Sequence, residues 1–237
     1  MLNATGLAVG ERLKALDFRA EPGEHIAILG PNGAGKSTLL AALAGLLPAQ
    51  GRIEWDEQEY SKIPFLQRGR MLSWLGQESY AEFAFPVRDV VAQGRHAWGD
   101  DDACVDAVMA TLDITHLAAR PITQLSGGER RRVFLARALA TGAPIQLWDE
   151  PASSLDVRHA LEVYRLAQQL SAKGSTLLVS LHDIRAAYRF SRVLVLEGGC
   201  LVGDGPPHEV LSAKLIRDVF RVEASFVTSL VPELPAE

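Results

Sequence analysis

Cysteine is scarce in this sequence, and its scarcity excludes two ways of stabilising a protein. The 237 residues include two cysteines, Cys104 and Cys200, and neither has a second thiol at metal-ligand spacing. A framework of disulfides and a cysteine-ligated zinc site are therefore excluded. We expect both thiols to be reduced, as they are in the cytosol.

Long apolar runs and an excess of positive charge are also missing. No uninterrupted apolar segment approaches the roughly 18 residues of a membrane-spanning helix, and residues 1–9 have neither a basic start nor a sustained apolar core. We therefore expect no membrane span and no secretory leader. The formal net charge of −5 provides no field that would attract a phosphate backbone, so we expect no nucleic-acid partner.

The hydrophobic pattern that is present predicts an α/β protein. Apolar runs at residues 24–29, 145–148 and 176–181 predict strands, and the first is followed by a helical pattern over residues 36–47. Strands that alternate with helices predict a buried, mostly parallel sheet, in which ligands bind at the carboxyl ends of the strands. A further amphipathic helix is predicted from apolar residues three or four apart, at Val157, Leu161, Tyr164, Ala167 and Leu170.

A glycine-rich loop follows the first predicted strand. Residues 30–37, Gly-Pro-Asn-Gly-Ala-Gly-Lys-Ser, fit the pattern G-x-x-x-x-G-K-[ST] between a strand and a helix. Glycines let backbone N–H groups converge on phosphate oxygens, and the helix that follows presents its positive end. Lys36 is then expected to reach the β- and γ-phosphates, and Ser37 to ligate Mg²⁺.

Two adjacent carboxylates, Asp149 and Glu150, follow the second predicted strand. Such a pair is costly unless a cation compensates it, and Mg²⁺ held by Ser37 and Asp149 would do so. Glu150 would then be available to polarise the attacking water. The same strand contains Gln146 and Trp148 where aliphatic residues are expected, which we interpret as tolerance at a sheet edge or an interface.

The segment Leu125-Ser126-Gly127-Gly128-Glu129 lies between these two elements and resembles the signature motif of the ABC (ATP-binding cassette) ATPases. The resemblance implies an α/β fold of the P-loop NTPase type. It has a mostly parallel central sheet, an antiparallel β region near the N-terminus and a helical signature subdomain. We expect one ATPase domain over residues 1–237, with the helical subdomain at about residues 83–140.

Further matches extend the resemblance over most of the chain. Gln77 resembles the glutamine that senses Mg²⁺ and links to the membrane partner, residues 153–156 resemble the loop between the two ATP sites, and His182 resembles the histidine on the γ-phosphate. The resemblance therefore implies Glu150, His182 and Gln77 as catalytic residues and Ser37, Gln77 and Asp149 as metal ligands. The implied nucleotide-binding residues are Asn32, Gly33, Ala34, Gly35, Lys36, Ser37, Thr38, Ser126, Gly127, Gly128 and Asp156.

The family also implies partners. Two copies of the chain would pack head to tail with ATP and Mg²⁺ between them, docked to transmembrane permease subunits at the cytoplasmic face of a bacterial inner membrane. A periplasmic binding protein would take part indirectly. An ABC exporter ATPase, a soluble ABC ATPase of DNA repair or translation, and a relative without catalysis are the alternatives. Long coiled coils and tandem cassettes, typical of the soluble group, are absent from the sequence.

Two details narrow the resemblance. The short segment before Gly30 and the stretch Phe85-Pro86-Val87 resemble ATPases of vitamin B12, haem and iron-siderophore importers, with the vitamin B12 group nearest. The family usually stacks adenine on an aromatic residue, yet residues 3–14 contain no Phe, Tyr or Trp. We therefore expect weak discrimination between ATP and GTP. Cargo, permease and direction of transport stay open.

Overall fold

Two β-sheets form the framework of the protein. The structure, a computed structural model, describes residues 1–77, 83–99, 101–225 and 233. The predicted domain 1–237 therefore also includes residues that lie outside the described ones. Within the described part the strands are β1 (Leu2–Val9), β2 (Leu13–Ala20), β3 (His25–Leu29), β4 (Gln50–Trp55), β5 (Gln58–Glu59), β6 (Leu72–Leu75), β7 (Ile145–Asp149), β8 (Thr176–Ser180), β9 (Arg192–Glu197) and β10 (Cys200–Gly205).

Helices cover both faces of the larger sheet and connect its strands. The α-helices of the described residues are α1 (Lys36–Leu43), α2 (Phe65–Met71), α3 (Val87–Ala92), α4 (Asp102–Thr111), α5 (Gly127–Ala140), α6 (Val157–Ala172), α7 (Pro207–Val210) and α8 (Ala213–Phe220). Short 3₁₀ turns occur at Tyr60–Lys62, Gln93–Arg95, Thr115–Leu117, Ile122–Gln124 and Ile184–Arg189. None of these helices is both long enough and apolar enough to cross a membrane.

The larger sheet has six strands in the order β10-β9-β3-β8-β7-β6, all parallel except the β9–β10 pair. This confirms the predicted mostly parallel sheet. Strands β7 and β8 are buried along their whole length because both faces of the sheet are covered. In β3, Ile26 and Ile28 pack on the α1 side, whereas Ala27 and Leu29 pack against the core on the opposite face.

The smaller sheet is antiparallel, in the order β2-β1-β4-β5, and confirms the antiparallel region expected near the N-terminus. Leu2, Leu7 and Leu13 of this sheet form one core with Leu39 and Leu40 of α1. Helix α1 is thus enclosed between the two sheets, which fixes the loop at its start.

The prediction that Gln146 and Trp148 mark a sheet edge is wrong, because β7 lies between β6 and β8. Both side chains are buried, and they satisfy each other's polar groups. Trp148 Nε1 donates to Gln146 Oε1 over 3.2 Å, and Gln146 Nε2 donates to the carbonyl of Ala143 over 2.8 Å. The glutamine therefore lets an indole N–H be buried without cost to its hydrogen bonding.

Two predicted helices differ from the observed ones. Helix α1 ends at Leu43 rather than Leu47, because Gly45 adopts a φ of 69° and a Cβ there would overlap the Tyr60 hydroxyl. In α6 most of the predicted apolar stripe is confirmed, because Ala167 is buried and Tyr164 and Leu170 pack against the core, but its first residue is not covered. Val157 is 62% exposed, and the buried positions are Val163, Ala167 and Ser171.

Candidate active site

The phosphate loop, residues 30–38, links β3 to α1 in a backbone conformation that glycine permits. Gly30 has a φ of 153°, and a Cβ there would lie 2.3 Å from the carbonyl oxygen of Leu196. Gly35 has a φ of 104°, and a Cβ there would lie 2.9 Å from the carbonyl oxygen of Arg12. No side chain caps the start of α1. The first-turn N–H groups of this helix are therefore left for an anion.

Lys36 begins α1 and is 5% exposed. Its ammonium group donates to the carbonyl oxygens of Gly30, at 2.7 Å, and Pro31, at 3.2 Å. Burial lowers the pKa of Lys36, and the carboxylates of Glu150 and Asp149 act in the opposite direction. A buried cation thus lies beside the loop, close enough to two carboxylates to be influenced by them.

Asp149 and Glu150 lie at the end of β7, and Ser180 at the end of β8 is hydrogen-bonded to both residues. The Ser180 hydroxyl donates to Asp149 Oδ1 over 2.5 Å and accepts from the backbone N–H of Glu150 over 2.8 Å. Glu150 has a φ of 51°, a left-handed conformation that costs a non-glycine residue about 1–3 kcal/mol. Neighbouring hydrogen bonds hold this conformation in place.

Residues at the ends of other strands contact both carboxylate oxygens of Glu150. Gln77, two residues after β6, donates from Nε2 to Oε2 over 3.0 Å. His182, two residues after β8, has its Nε2 2.7 Å from Oε1. The carboxylate is nearly buried, whereas the His182 ring is half exposed. Glu150 is therefore held between two polar side chains at the floor of an open pocket.

The pocket has a volume of about 310 Å³ and combines most of the predicted site residues. It is lined by Asn32, Gly33, Ala34, Gly35, Lys36, Ser37, Gln77, Glu150 and His182. Asp149 is bonded to Ser180 behind the lining, and Thr38 follows Ser37 in the first turn of α1. The carboxyl ends of β3, β6, β7 and β8 bring these residues together, as parallel pairing requires.

The signature residues do not line this pocket. Ser126 caps α5 in a capping box, in which its hydroxyl accepts from the backbone of Glu129 and the Glu129 carboxylate accepts from the backbone of Ser126. A Cβ at Gly127 or Gly128 would come nearest to residue 154. Asp156 caps α6 by accepting from the backbone of His159 over 2.9 Å. The signature residues and Asp156 therefore form a second surface, separate from the phosphate loop.

Two residues at the site are not predicted from the sequence. Ser180 donates to the Asp149 carboxylate and accepts from the backbone N–H of Glu150, and its only signal in the sequence is a hydroxyl at the end of an apolar strand. Arg131 of α5 donates to the carbonyl oxygens of Gly76 and Glu150 over 2.6 and 2.8 Å. Its sequence signal is weak, because it lies in a run of three arginines on a helix where solvent exposure is expected.

The oxygen atoms at the pocket suit a hard cation. Mg²⁺ is typically bound by one or two protein oxygens together with phosphates and water. Ser37 and Gln77 line the pocket with a hydroxyl and an amide, and Asp149 lies next to it. Among the described residues no group of three His, Cys, Asp or Glu side chains could hold a metal by itself. This donor set fits Mg²⁺ that is bound together with a phosphate.

A glycine loop at a helix start, a buried lysine and carboxylates at the end of another parallel strand of the same sheet define a phosphate-loop nucleoside triphosphatase. Comparison with known proteins gives the family. The family model described as ABC transporter matches residues 13–153, more than half of the chain. The chain belongs to the ABC transporter family, and it is an ABC-type ATPase.

Curated relatives are similar over nearly the whole chain. The Hemin import ATP-binding protein HmuV of Nocardia farcinica is 43% identical, over 93% of this chain and 82% of that protein. The protein of the same name from Pseudomonas aeruginosa is also 43% identical, over 89% of this chain and 87% of that protein.

Solved structures agree on the fold. A putative metal-chelate type ABC transporter in an inward-facing conformation is 27% identical with a TM-score of 0.77, covering 94% of this chain and 89% of that chain. A dimeric ATP-binding cassette bound to ADP and phosphate has a TM-score of 0.80 at 24% identity, covering 87% of this chain and 99% of that chain. This second likeness concerns the fold alone.

Proposed function

We propose that this chain is the ATPase subunit that powers the import of haem, or of a related metal chelate, through membrane-embedded permease subunits. The observation that carries the proposal is Glu150, held at the floor of the phosphate-loop pocket between Gln77 and His182. The similarity to hemin import proteins supports haem as the cargo. Vitamin B12, the nearest group by sequence motif, has no support from the names of these relatives.

The chemistry assigns a role to each side chain. Residues 32–38 bind the phosphates with backbone N–H groups and the Lys36 ammonium, and Glu150 takes a proton from the attacking water. His182 contacts the γ-phosphate, and Gln77 responds to the bound nucleotide. Mg²⁺, bound by Ser37, Gln77 and Asp149, would neutralise charge that develops on the phosphates.

The separation of the two surfaces supports a dimer. The pocket of one copy contains the phosphate loop without Ser126, Gly127 or Gly128. A second copy, packed head to tail, would bring those residues and Asp156 to the nucleotide. ATP that binds the closed pair more tightly than the open pair shifts the population towards the dimer, and hydrolysis releases it. We propose one ATPase domain over residues 1–237, with residues 83–140 as its helical part.

An apolar groove supports docking to a membrane partner at the cytoplasmic face of the inner membrane. Phe65 is 80% exposed, and Leu46 and Leu66, which line the same groove, are also exposed. Exposed apolar side chains grouped in this way mark interaction surfaces. The groove is also lined by Trp74 of β6, three residues before Gln77, so a helix of a permease seated there would lie close to the active site. A periplasmic binding protein would act through that permease, and no nucleic acid is involved.

The catalytic proposal is tested by Mg²⁺-ATP turnover of the wild type and of Glu150→Gln. We expect turnover to fall by about 10²- to 10⁴-fold, the usual contribution of a general base, while ATP still binds and a dimer accumulates. Glu209→Gln is the matched control, because Glu209 is exposed and, among the described residues, its ion-pair contact is with His208. Unchanged turnover in Glu150→Gln would exclude Glu150 as the base.

The transport proposal is tested by co-purification with a candidate haem permease. Phe65→Glu should abolish the complex, whereas Val222→Glu, at an exposed apolar residue elsewhere, should not. ATP turnover of the complex in lipid nanodiscs should rise with a haem-loaded binding protein. Stimulation by vitamin B12 or a ferric siderophore instead would reassign the cargo, and a complex that forms equally well with Phe65→Glu would exclude this groove.

A further inference from the structure

Arg131 of α5 joins two loops of the active site that are far apart in sequence. It is 2% exposed, and its guanidinium lies between the ends of β6 and β7. Its acceptors include the main-chain carbonyl oxygens of Gly76 (2.6 Å), Gln77 (3.1 Å), Asp149 (2.5 Å), Glu150 (2.8 Å) and Pro151 (3.3 Å).

The other arginines of this helix contact a different part of the molecule. Arg130 donates to Leu125, and Arg132 approaches the carbonyl oxygens of Leu112 and Asp113 at 3.4 and 3.5 Å. The guanidinium of Arg137 lies 4.6 Å from the centre of the Phe134 ring. These contacts stay within the helical region, whereas Arg131 reaches across to the sheet. Among these arginines of α5, Arg131 is therefore the one that connects the helix to the active-site loops of the sheet.

A planar guanidinium is the side chain that can perform this role. It offers five N–H donors in a fixed fork, so it can bind carbonyl groups of two loops and fix the distance between them. Burial lowers the pKa of Arg131 to about 10, and the carboxylates of Asp149 and Glu150 oppose that shift. The group is therefore charged at neutral pH, and its charge compensates the two buried carboxylates.

We propose that Arg131 is a positioning residue, which holds the backbones of Gln77 and Glu150 so that both side chains face the reacting phosphate. The inference rests on the proposed ATPase function. Where the described contacts of Arg131 reach the pocket lining, they reach the backbones of Gln77 and Glu150, so we infer that it acts through them. Misplacing a catalytic group by ~1 Å can slow a reaction on the order of 10²-fold, which is the scale expected here.

Arg131→Lys tests the proposal, with Arg132→Lys as the matched control at the neighbouring position. The lysine retains the charge but cannot reach both loops at once. We expect kcat to fall by about tenfold or more, with the affinity for ATP unchanged, because the phosphate loop is not touched. Arg131→Gln, which also loses the charge, should show a larger fall in kcat, and Arg132→Lys should behave as wild type.

Hydrogen exchange measured by mass spectrometry provides a second readout that does not depend on catalysis. In Arg131→Lys, peptides covering residues 72–77 and 145–153 should exchange faster together, while peptides covering residues 58–71 should not change. Unchanged exchange in both segments, or faster exchange throughout the chain with a lower Tm, would overturn the positioning role. If the wild type hydrolyses no ATP while exchange in Arg131→Lys is locally faster, the proposed function is refuted, and the positioning of the two loops by Arg131 still stands.

Discussion

The phosphate loop and the signature loop are both glycine-rich turns that lead into a helix, yet they are built differently. The glycines of the phosphate loop, Gly30, Gly33 and Gly35, all have positive φ, and no side chain caps α1. Neither glycine of the signature loop has a positive φ, and α5 starts with a complete capping box. One helix start leaves its donors available, and the other satisfies part of them within the chain.

This difference in available N–H donors suggests which loop meets the nucleotide first. The phosphate loop is prepared for an anion before any partner arrives, because its backbone is fixed and its lysine is in place. The signature loop is already stabilised by Ser126 and Glu129, so it needs no ligand to be ordered. We therefore expect ATP to bind first to the phosphate loop of one copy and the signature of the other to close over it later.

The largest effect should follow from removing the lysine of the phosphate loop. Lys36→Ala should lower the affinity for ATP on the order of 10³-fold, because a hydrogen bond to a charged group contributes about 1.5–3 kcal/mol and more than one is lost. Isothermal titration calorimetry measures the affinity. Lys14→Ala, at an exposed lysine of β2, is the control. An unchanged affinity in Lys36→Ala would show that the phosphate loop does not bind ATP.

A negative charge introduced into the signature loop should hinder closure of the dimer over ATP without changing ATP binding by the monomer. Gly127 is exposed, and a Cβ there would come no closer than 4.0 Å to Ser154, so Gly127→Asp should fold. The carboxylate would face the phosphates of the partner's nucleotide, and like charges placed together cost several kcal/mol. We expect unchanged ATP binding by the monomer and a turnover that is lower on the order of 10²-fold.

Ala213→Asp is the matched control, because Ala213 is the first residue of a helix that a serine also caps. It should keep wild-type turnover. Size-exclusion chromatography with ATP in the Glu150→Gln background measures closure directly. A dimer that still forms with Gly127→Asp would show that the signature loop does not contact the nucleotide. The phosphate loop and the signature loop would then not share one ATP site.

The smallest effect concerns the base of the nucleotide. Without an aromatic residue in the segment 3–14, ATP should be preferred over GTP by less than about tenfold, since a ring stack contributes about 0.5–1.5 kcal/mol. Arg12→Tyr places a ring where the backbone adjoins Gly35 and should strengthen ATP binding several-fold, whereas Lys14→Tyr should not. Competition between the two nucleotides measures the preference, and a tenfold preference in the wild type would contradict the expectation.

The sequence predicts the phosphate loop and the parallel strands well, because their geometry follows from local patterns. Glycines at fixed offsets after an apolar run specify a loop, and buried strands are recognised from apolar runs alone. Residue pairs that depend on packing are harder. The contact between Trp148 and Gln146 requires that the strand be central and its neighbours known. Arg131 is harder still, because nothing in a run of three arginines indicates which one turns inward.

Helix faces are predicted less accurately than helix positions. The periodic residues of α6 correctly locate the helix, but Val157 is exposed at its start, where the chain leaves the loop that precedes it. The amphipathic pattern shows that one side is apolar, and the packing of the neighbouring sheet decides which residues of that side are covered.

The two side chains that flank the Glu150 carboxylate restrict how a water molecule can reach it. Each carboxylate oxygen has two lone pairs, so a water molecule can still bind Glu150, but only from the directions that Gln77 and His182 leave open. Proton transfer from water to Glu150 is therefore directional, and the positions of Gln77 and His182 set the side from which the water must approach.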